Sequence, residues 1–133
     1  MILVDTSVWI DYFNGIANRQ TDLLHDYLET EEVIILDIIL VEILQGFRSE
    51  KNAVIAESYL KGLSCYQSLN PDSASIVSKR FRELRRKGIT VRKTIDLIIA
   101  GWCLDNNVPL LENDKDFLLI QSGYPLKLVR SEF

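Results

Sequence analysis

The sequence begins with the stretch ILVDTS at residues 2–7, three apolar residues followed by a carboxylate and two hydroxyl residues. A short apolar run is typical of a buried strand, and Asp, Thr and Ser commonly precede the first turn of a helix. The stretch VIILD at residues 33–37 repeats this pattern, and VPLL at residues 108–111 is a third apolar run. We therefore predict buried strands that each lead into a helix within a few residues.

Helical patterns and turn residues divide the rest of the chain into further elements. Asp37 and Thr94 are expected to be N-caps, and Pro109 favours an early position in its strand or an edge strand. Strands are predicted at residues 2–4, 33–36, 65–69 (a weak one), 108–111 and 127–129. Helices are predicted at residues 8–13, 21–31, 37 to about 47, 52–60, 71–88, 95 to about 106, and from Asp114 or Asp116 to Gly123.

Short apolar strands that alternate with helices indicate parallel crossover units. We predict a single α/β domain over residues 1–133, with a central, mostly parallel sheet of four to five strands. Strands that are apolar throughout are buried on both sides, so helices are expected on both faces of the sheet.

Composition excludes several classes of protein. The chain has 133 residues, of which 47% are hydrophobic and 26% are charged, as expected for one globular domain. The start of the sequence does not resemble a signal peptide, and no apolar run is long enough to span a bilayer. Cys65 and Cys103 are too few for a disulfide framework, so we expect buried thiols in a cytoplasmic protein.

Charge is distributed unevenly along the chain. The segment Lys79–Lys93 carries eight bases and one acid, a net charge of +7, whereas the rest of the chain carries −11. Much of this basic segment is expected to be the solvated face of a helix. Arg92 and Lys93 differ because they lie directly before the helix that contains Asp96, and a polyanionic ligand could bind along this strip of bases.

Five acids are expected near one edge of the sheet, where the strands end. Ligands of such sheets bind beyond the carboxyl ends of the strands. Each acid taken alone fits a plainer role, as a cap, a loop acid or a solvated acid on a helix face. Their shared position favours a site, and its members are Asp5, Glu42, Asp96, Asp114 and Asp116.

The apolar surroundings of these acids point to a metal. Asp96 lies in a helix that is apolar nearly all round, and Glu42 lies between Val41 and Ile43. Buried carboxylates repel one another, so such a cluster either binds protons or holds a cation. With oxygen ligands alone the cation is expected to be Mg²⁺ or Mn²⁺, and such an ion beside bases suggests phosphate chemistry.

Four motifs in this order resemble those of the PIN-domain ribonucleases, most of all the VapC-type toxins of toxin–antitoxin pairs. The resemblance runs from residue 2 to about residue 120. The motifs are DTSVW at residues 5–9, VEILQG at 41–46, TIDLIIA at 94–100 and NDKDF at 113–117.

The resemblance implies a Mg²⁺-dependent endoribonuclease, with Mn²⁺ as a plausible substitute, in which metal-activated water hydrolyses an RNA phosphodiester. It implies that Asp5 and Asp96 are metal ligands and that Glu42 and Asp114 complete the catalytic and metal site. Asp116 is assigned to the metal as well, although family members differ at this last motif.

Further expectations concern the substrate and the partners. Thr6 or Ser7 is expected to hydrogen-bond a metal-bound water or a phosphate, and Arg92 or Lys93 is expected to contact the RNA backbone. The resemblance also implies a homodimer and a cognate VapB-type antitoxin, bound in an apolar groove of the early helices between Val8 and Leu60.

Several alternatives remain open. The chain could be a PIN-type nuclease of RNA processing or a flap-type DNA nuclease, although it has no extra domain or arch insertion. A haloacid-dehalogenase-type phosphatase requires a second Asp two residues after Asp5, where this chain has Ser7. An inactive, partner-binding module is disfavoured by the intact set of acids.

Overall fold

The computed structural model describes residues 1–129, and the alternation of its strands and helices confirms the predicted α/β class. A domain that extends to residue 133 stays a prediction, since residues 130–133 lie outside the described part. The strands are β1 (Ile2–Val4), β2 (Val33–Leu36), β3 (Ser64–Tyr66), β4 (Leu110–Leu111) and β5 (Leu128–Val129). The helices are α1 (Thr6–Phe13), α2 (Arg19–Thr30), α3 (Asp37–Gln45), α4 (Glu50–Leu60), α5 (Pro71–Arg86), α6 (Thr94–Asn106) and α7 (Asp116–Gln121).

The five strands form one sheet in the order β3-β2-β1-β4-β5, and every neighbouring pair is parallel. Leu3 of β1 is in register with Ile34 of β2 on one side and with Leu110 of β4 on the other. Because all the strands run the same way, the residues that follow them emerge at one edge of the sheet.

Both faces of the sheet are covered, as predicted. All four residues of β2 are buried, and successive residues of a strand point to opposite faces. The residues of β1 and β4 are buried as well, whereas those of β3 are exposed. β3 is an edge strand, which explains its weak apolar pattern in the sequence.

The caps of two helices differ from the prediction. Asp37 is the first residue of α3, whose N-cap is Leu36, because β2 runs into α3 without an intervening residue. The Oδ1 atom of Asp37 accepts a hydrogen bond from the Ser68 backbone N–H at 3.0 Å, so Asp37 links α3 to the segment after β3. Thr94 is likewise the first residue of α6 rather than its cap, which is Lys93.

Three other helices begin earlier than predicted because their capping residues lie upstream, and one of them, α1, begins at Thr6 after its N-cap Asp5. The side chain of Asn18 accepts from the Thr21 N–H, and the Thr21 hydroxyl accepts from the Asn18 N–H, so this capping box starts α2 at Arg19. Ser49 caps α4, which starts at Glu50.

The remaining expectations on the fold have mixed outcomes. Cys103 is a buried thiol, but Cys65 is exposed because it lies on the edge strand β3; both are free. Pro109 directly precedes β4, which is an inner strand of the sheet. Of the two predicted positions, the start of a strand is therefore the correct one, and the edge strand is not. Within residues 1–129, every helix is too short or too polar to cross a membrane.

Candidate metal centre

The ends of β1 and β4 bring the first acids together. The backbone N–H of Asp5 donates to the carbonyl oxygen of Leu111 at 2.9 Å, so the residues that follow the two strands start side by side. Asp5 is then the N-cap of α1, and it is buried, with 4% of its surface exposed. β1 and β4 are more than a hundred residues apart in the sequence, but their parallel pairing makes them neighbours in the sheet.

Three carboxylates form the tightest group of the site. One oxygen from each of Asp96, Asp114 and Asp116 lies within 4.8 Å of the other two. Two unit charges at that distance repel by about 3.5 kcal/mol at an effective dielectric constant of 20. Asp96 and Asp116 are buried and Asp114 is half-buried, so water screens the repulsion only in part.

Asp5 lies beside this group and interacts with it through charge. Burial raises the pKa of Asp5 to about 6, against the opposing effect of the Ser7 hydrogen bonds. The Ser7 hydroxyl donates to Oδ2 of Asp5 at 2.8 Å, and the Ser7 backbone N–H donates to the same atom at 3.3 Å. The negative charge of Glu42 adds to the rise in the pKa of Asp5.

Asp96 has the least satisfied carboxylate of the site. Its Oδ2 atom is buried and has no hydrogen-bond partner among residues 1–129. Burial raises the pKa of Asp96 to about 7, and the negative charges of Asp5 and Asp114 contribute to that rise. A buried carboxylate oxygen without a donor is costly, and a proton or a cation would compensate it.

The two hydroxyl residues predicted to contact a water or a phosphate donate hydrogen bonds to carboxylates. The Thr6 hydroxyl donates to Oε1 of Glu42 at 2.6 Å, and the Ser7 hydroxyl donates to Asp5. Glu42, which is half-buried on α3, is therefore held at the start of α1 next to Asp5. The hydroxyls thus position two of the predicted site carboxylates, Glu42 and Asp5.

The loop between β4 and α7 is built on carboxylates that accept from the backbone. Glu112 accepts from the Asp114 N–H at 2.7 Å, and Asp114 accepts from the Asp116 N–H at 3.0 Å. Glu112 is buried, with 2% of its surface exposed, and the sequence analysis missed it. The signal was present, since Glu112 directly follows a buried strand just as Asp5 does.

The two predicted RNA-binding bases lie at the edge of the site. Arg92 donates three hydrogen bonds to the carboxylate of Asp116, at distances of 3.0 to 3.3 Å. Lys93 is exposed at the start of α6, and its charge acts to lower the pKa of Asp96. Both bases are thus near the carboxylates, and Arg92 is engaged with one of them.

Four of the five bases of α5 are exposed, as expected for the solvated face of a helix, and the fifth, Arg80, packs against α6. Arg80 forms an ion pair with Asp105 of α6 at 2.6 Å, with 15% of the Arg80 side chain exposed. Gly101 makes room for this arginine, since a Cβ atom at Gly101 would lie 2.9 Å from Arg80 Nη1. Glu83 accepts from the Tyr124 hydroxyl at 2.6 Å, a bond that lowers the pKa of Glu83.

The donor set fits a hard divalent cation. The cluster offers carboxylate oxygens and no nitrogen or sulfur ligand, which is the set that Mg²⁺ and Mn²⁺ prefer. The buried, unpartnered Oδ2 of Asp96 is the observation that favours a ligand at this point of the molecule. The residues that could hold the ion are Asp96, Asp114 and Asp116, together with the neighbouring Asp5 and Glu42.

Comparisons with known proteins agree with this geometry. The PIN domain family matches residues 2–121. A curated protein named VapC ribonuclease Mb1587, from Mycobacterium bovis, is 30% identical over 125 residues, which cover 90% of this chain and 91% of that protein. Ribonuclease VapC11 from Mycobacterium tuberculosis matches with the same identity and coverage.

Several solved structures have a fold similar to that of this chain. VapBC2 from Rickettsia felis, bound to a DNA fragment from its promoter, has a TM-score of 0.75 at 21% identity and covers 97% of this chain and 98% of that chain. DNA-bound VapBC from Salmonella typhimurium has a TM-score of 0.74 at 20% identity with the same coverage. FitAcB from Neisseria gonorrhoeae has a TM-score of 0.73 at 18% identity and covers 98% of this chain and 97% of that chain.

The raised pKa of Asp96 predicts how the stability of the metal-free protein depends on pH. A native-state pKa of about 7, against 3.8 for an ordinary Asp, means that the native state holds this proton more tightly than the unfolded state does. The contribution of Asp96 to the free energy of unfolding therefore falls as the pH rises from about 4 to about 7. We expect Asp96→Asn to melt several degrees above the wild type at pH 8 in EDTA, and close to it at pH 4.

Circular dichroism melts across this pH range measure the effect. Asp26→Asn is the matched control, because it removes the same charge from an exposed position on α2 and is expected to leave the pH profile unchanged. An Asp96→Asn protein that melts below the wild type at pH 8 would contradict the assignment of Asp96 as an uncompensated carboxylate.

Proposed function

The chain belongs to the PIN domain family, and from that premise we propose that it is a metal-dependent endoribonuclease, the toxin of a toxin–antitoxin pair. Two curated relatives that are 30% identical and named as VapC ribonucleases support the reaction class. The similar solved structures of VapBC and FitAcB support the fold on which the proposal rests.

One observation carries the proposal: the buried, unpartnered Oδ2 of Asp96 within a cluster of carboxylates. A cluster that merely stabilised the fold would be expected to pair its carboxylates with donors, as Ser7 does for Asp5. The cluster instead leaves this buried oxygen without a donor, close to the exposed bases Arg92 and Lys93. That combination is suited to holding a cation and a phosphate together.

The residues of the site have distinct tasks in phosphodiester hydrolysis. Asp5 and Asp96 would bind Mg²⁺, or Mn²⁺ in its place, and Glu42, Asp114 and Asp116 would complete the site directly or through water. When bound, the ion would lower the pKa of a water molecule and stabilise the negative charge on the phosphate oxygens. Glu42 or Asp114 would orient the attacking water. We propose in-line displacement that leaves a 5′-phosphate and a 3′-hydroxyl.

Contact with the RNA backbone is assigned to the bases at the edge of the site. Arg92 and Lys93 are exposed and directly precede α6, whose first turn carries Asp96. Lys93 brings positive charge close enough to affect the pKa of Asp96, so a phosphate bound there would lie near the metal ligands. To bind a phosphate or a water, the hydroxyls of Thr6 and Ser7 would have to share or break their hydrogen bonds to Glu42 and Asp5.

The proposed antitoxin is of the VapB type and binds the early helices. Large apolar side chains are exposed on α3 and α4, among them Val41, Val54, Ile55 and Tyr59. Next to them lies a groove of about 550 Å³ between the end of α1 and the start of α4. An exposed apolar surface of this kind supports a protein partner.

A homodimer is proposed through a different face. An apolar groove of about 310 Å³ lies between α5 and α6, and its lining includes Val77, Phe81 and Ile98. Ile76 on α5 is exposed as well. We place the reaction in the cytoplasm, a location supported by the two free cysteines.

Cleavage of RNA with mapped products tests the proposal directly. In Mg²⁺ the wild type is expected to cut at defined sites, and EDTA is expected to abolish cleavage. Asp5→Asn and Asp96→Asn are expected to lower the rate on the order of 100-fold or more, because each replaces a charged ligand by a neutral one. Asp26→Asn is the control and should cleave like the wild type. Undiminished cleavage in EDTA would contradict the mechanism.

The salt dependence of RNA binding tests the role of Lys93. We expect the affinity of an Asp5→Asn protein for a fluorescent single-stranded RNA to fall with rising salt. Adding Lys93→Ala should reduce the log–log slope by roughly 0.7, the value for one phosphate contact on a single strand. Lys51→Ala, an exposed base on α4, should leave the slope unchanged. An identical slope with and without Lys93 would remove this residue from the interface.

A further inference from the structure

Arg92 contacts the carboxylate cluster in a way that its proposed role in RNA binding does not require. Its Nη2 atom donates to Oδ1 and Oδ2 of Asp116 at 3.0 and 3.2 Å, and its Nε atom donates to Oδ2 at 3.3 Å. The Arg92 side chain is 73% exposed, whereas that of Asp116 is 5% exposed. An exposed guanidinium thus binds both oxygens of a buried acid.

Asp116 needs such a contact to keep its position in the metal-free protein. One of its oxygens lies within 4.8 Å of oxygens on Asp96 and Asp114, and like charges favour rotation of the side chain away from the group. The backbone of Asp116 is fixed, since its N–H donates to Asp114, but that bond does not orient the carboxylate. The fork of Arg92 does so, with two nitrogens on a planar partner.

We infer that Arg92 is a positioning residue whose guanidinium fork holds the Asp116 carboxylate in place as a ligand before the cation arrives. The inference rests on the proposed metal site and adds a second role to a base proposed to contact RNA. Hydrogen-bond partners that orient a ligand commonly govern metal affinity, and their loss weakens binding 10- to 100-fold.

The opposite expectation follows if Arg92 acts through its charge alone. A positive charge near the site repels a cation, so its removal would then tighten metal binding. Lysine separates the two roles, because it keeps the charge and the capacity to bind phosphate but cannot form the planar fork. Arg92→Lys is therefore the informative variant, and Arg92→Ala reports the loss of both properties.

Calorimetric titration with Mn²⁺ in the absence of RNA provides the test. We expect both Arg92→Lys and Arg92→Ala to bind Mn²⁺ about 10-fold more weakly than the wild type. Arg82→Lys is the matched control, because Arg82 lies on α5 and bonds to Ser78, and it should bind like the wild type. Wild-type affinity in Arg92→Lys, or tighter binding by Arg92→Ala, would overturn the inference.

A double-mutant cycle shows whether Arg92 acts through Asp116. Asp116→Asn alone is expected to weaken Mn²⁺ binding, and Arg92→Lys should cause no further loss in that background. Losses that simply add would contradict positioning through Asp116. Circular dichroism verifies that each variant is folded, as expected for a substitution at an exposed residue. A wild-type protein that binds no Mn²⁺ would instead contradict the proposed metal site itself.

Discussion

Repulsion among carboxylates gathered at one edge of a parallel sheet governs the architecture of this site. The parallel pairing of β1 and β4 places Asp5 beside the loop that carries Asp114 and Asp116. The first turn of α6 adds Asp96, in a helix that is buried along most of its length. A fold that only had to be stable would avoid this arrangement, because each further buried charge raises the cost of the others.

The protein offsets part of this repulsion with its own donors. Ser7 donates to Asp5, Thr6 donates to Glu42, and Arg92 binds Asp116. These contacts hold the carboxylates in place without neutralising Asp96, whose buried Oδ2 has no donor within the described part of the chain. Burial and the negative charges of Asp5 and Asp114 therefore raise the pKa of Asp96. The acidic cluster that results could bind a divalent cation.

Much of this could be predicted from the sequence, because the signals were local. Apolar runs followed by acids identified β1, β2 and β4, and the rule for the edge of a parallel sheet placed five acids together. The caps at Asp37 and Thr94 were wrong, because each of these residues already lies within the first turn of its helix, one position past the cap. Cys65 is predicted to be buried but is exposed, because it lies on the edge strand β3, whose apolar pattern is weak.

Contacts between distant residues could not be predicted. The pairing of Arg92 with Asp116 spans 24 positions, and no local pattern separates an arginine that faces RNA from one that binds an acid. Glu112 is a different case, because its position directly after a strand was visible in the sequence but its bond to the Asp114 N–H was not.

Anomalous diffraction from crystals soaked in Mn²⁺ tests the central claim most directly. If the carboxylates gather around a divalent cation, the strongest anomalous peak lies among Asp96, Asp114, Asp116 and the neighbouring Asp5, within bonding distance of Oδ2 of Asp96. The claim is contradicted if that space stays empty at saturating Mn²⁺ while the carboxylates keep the positions described here.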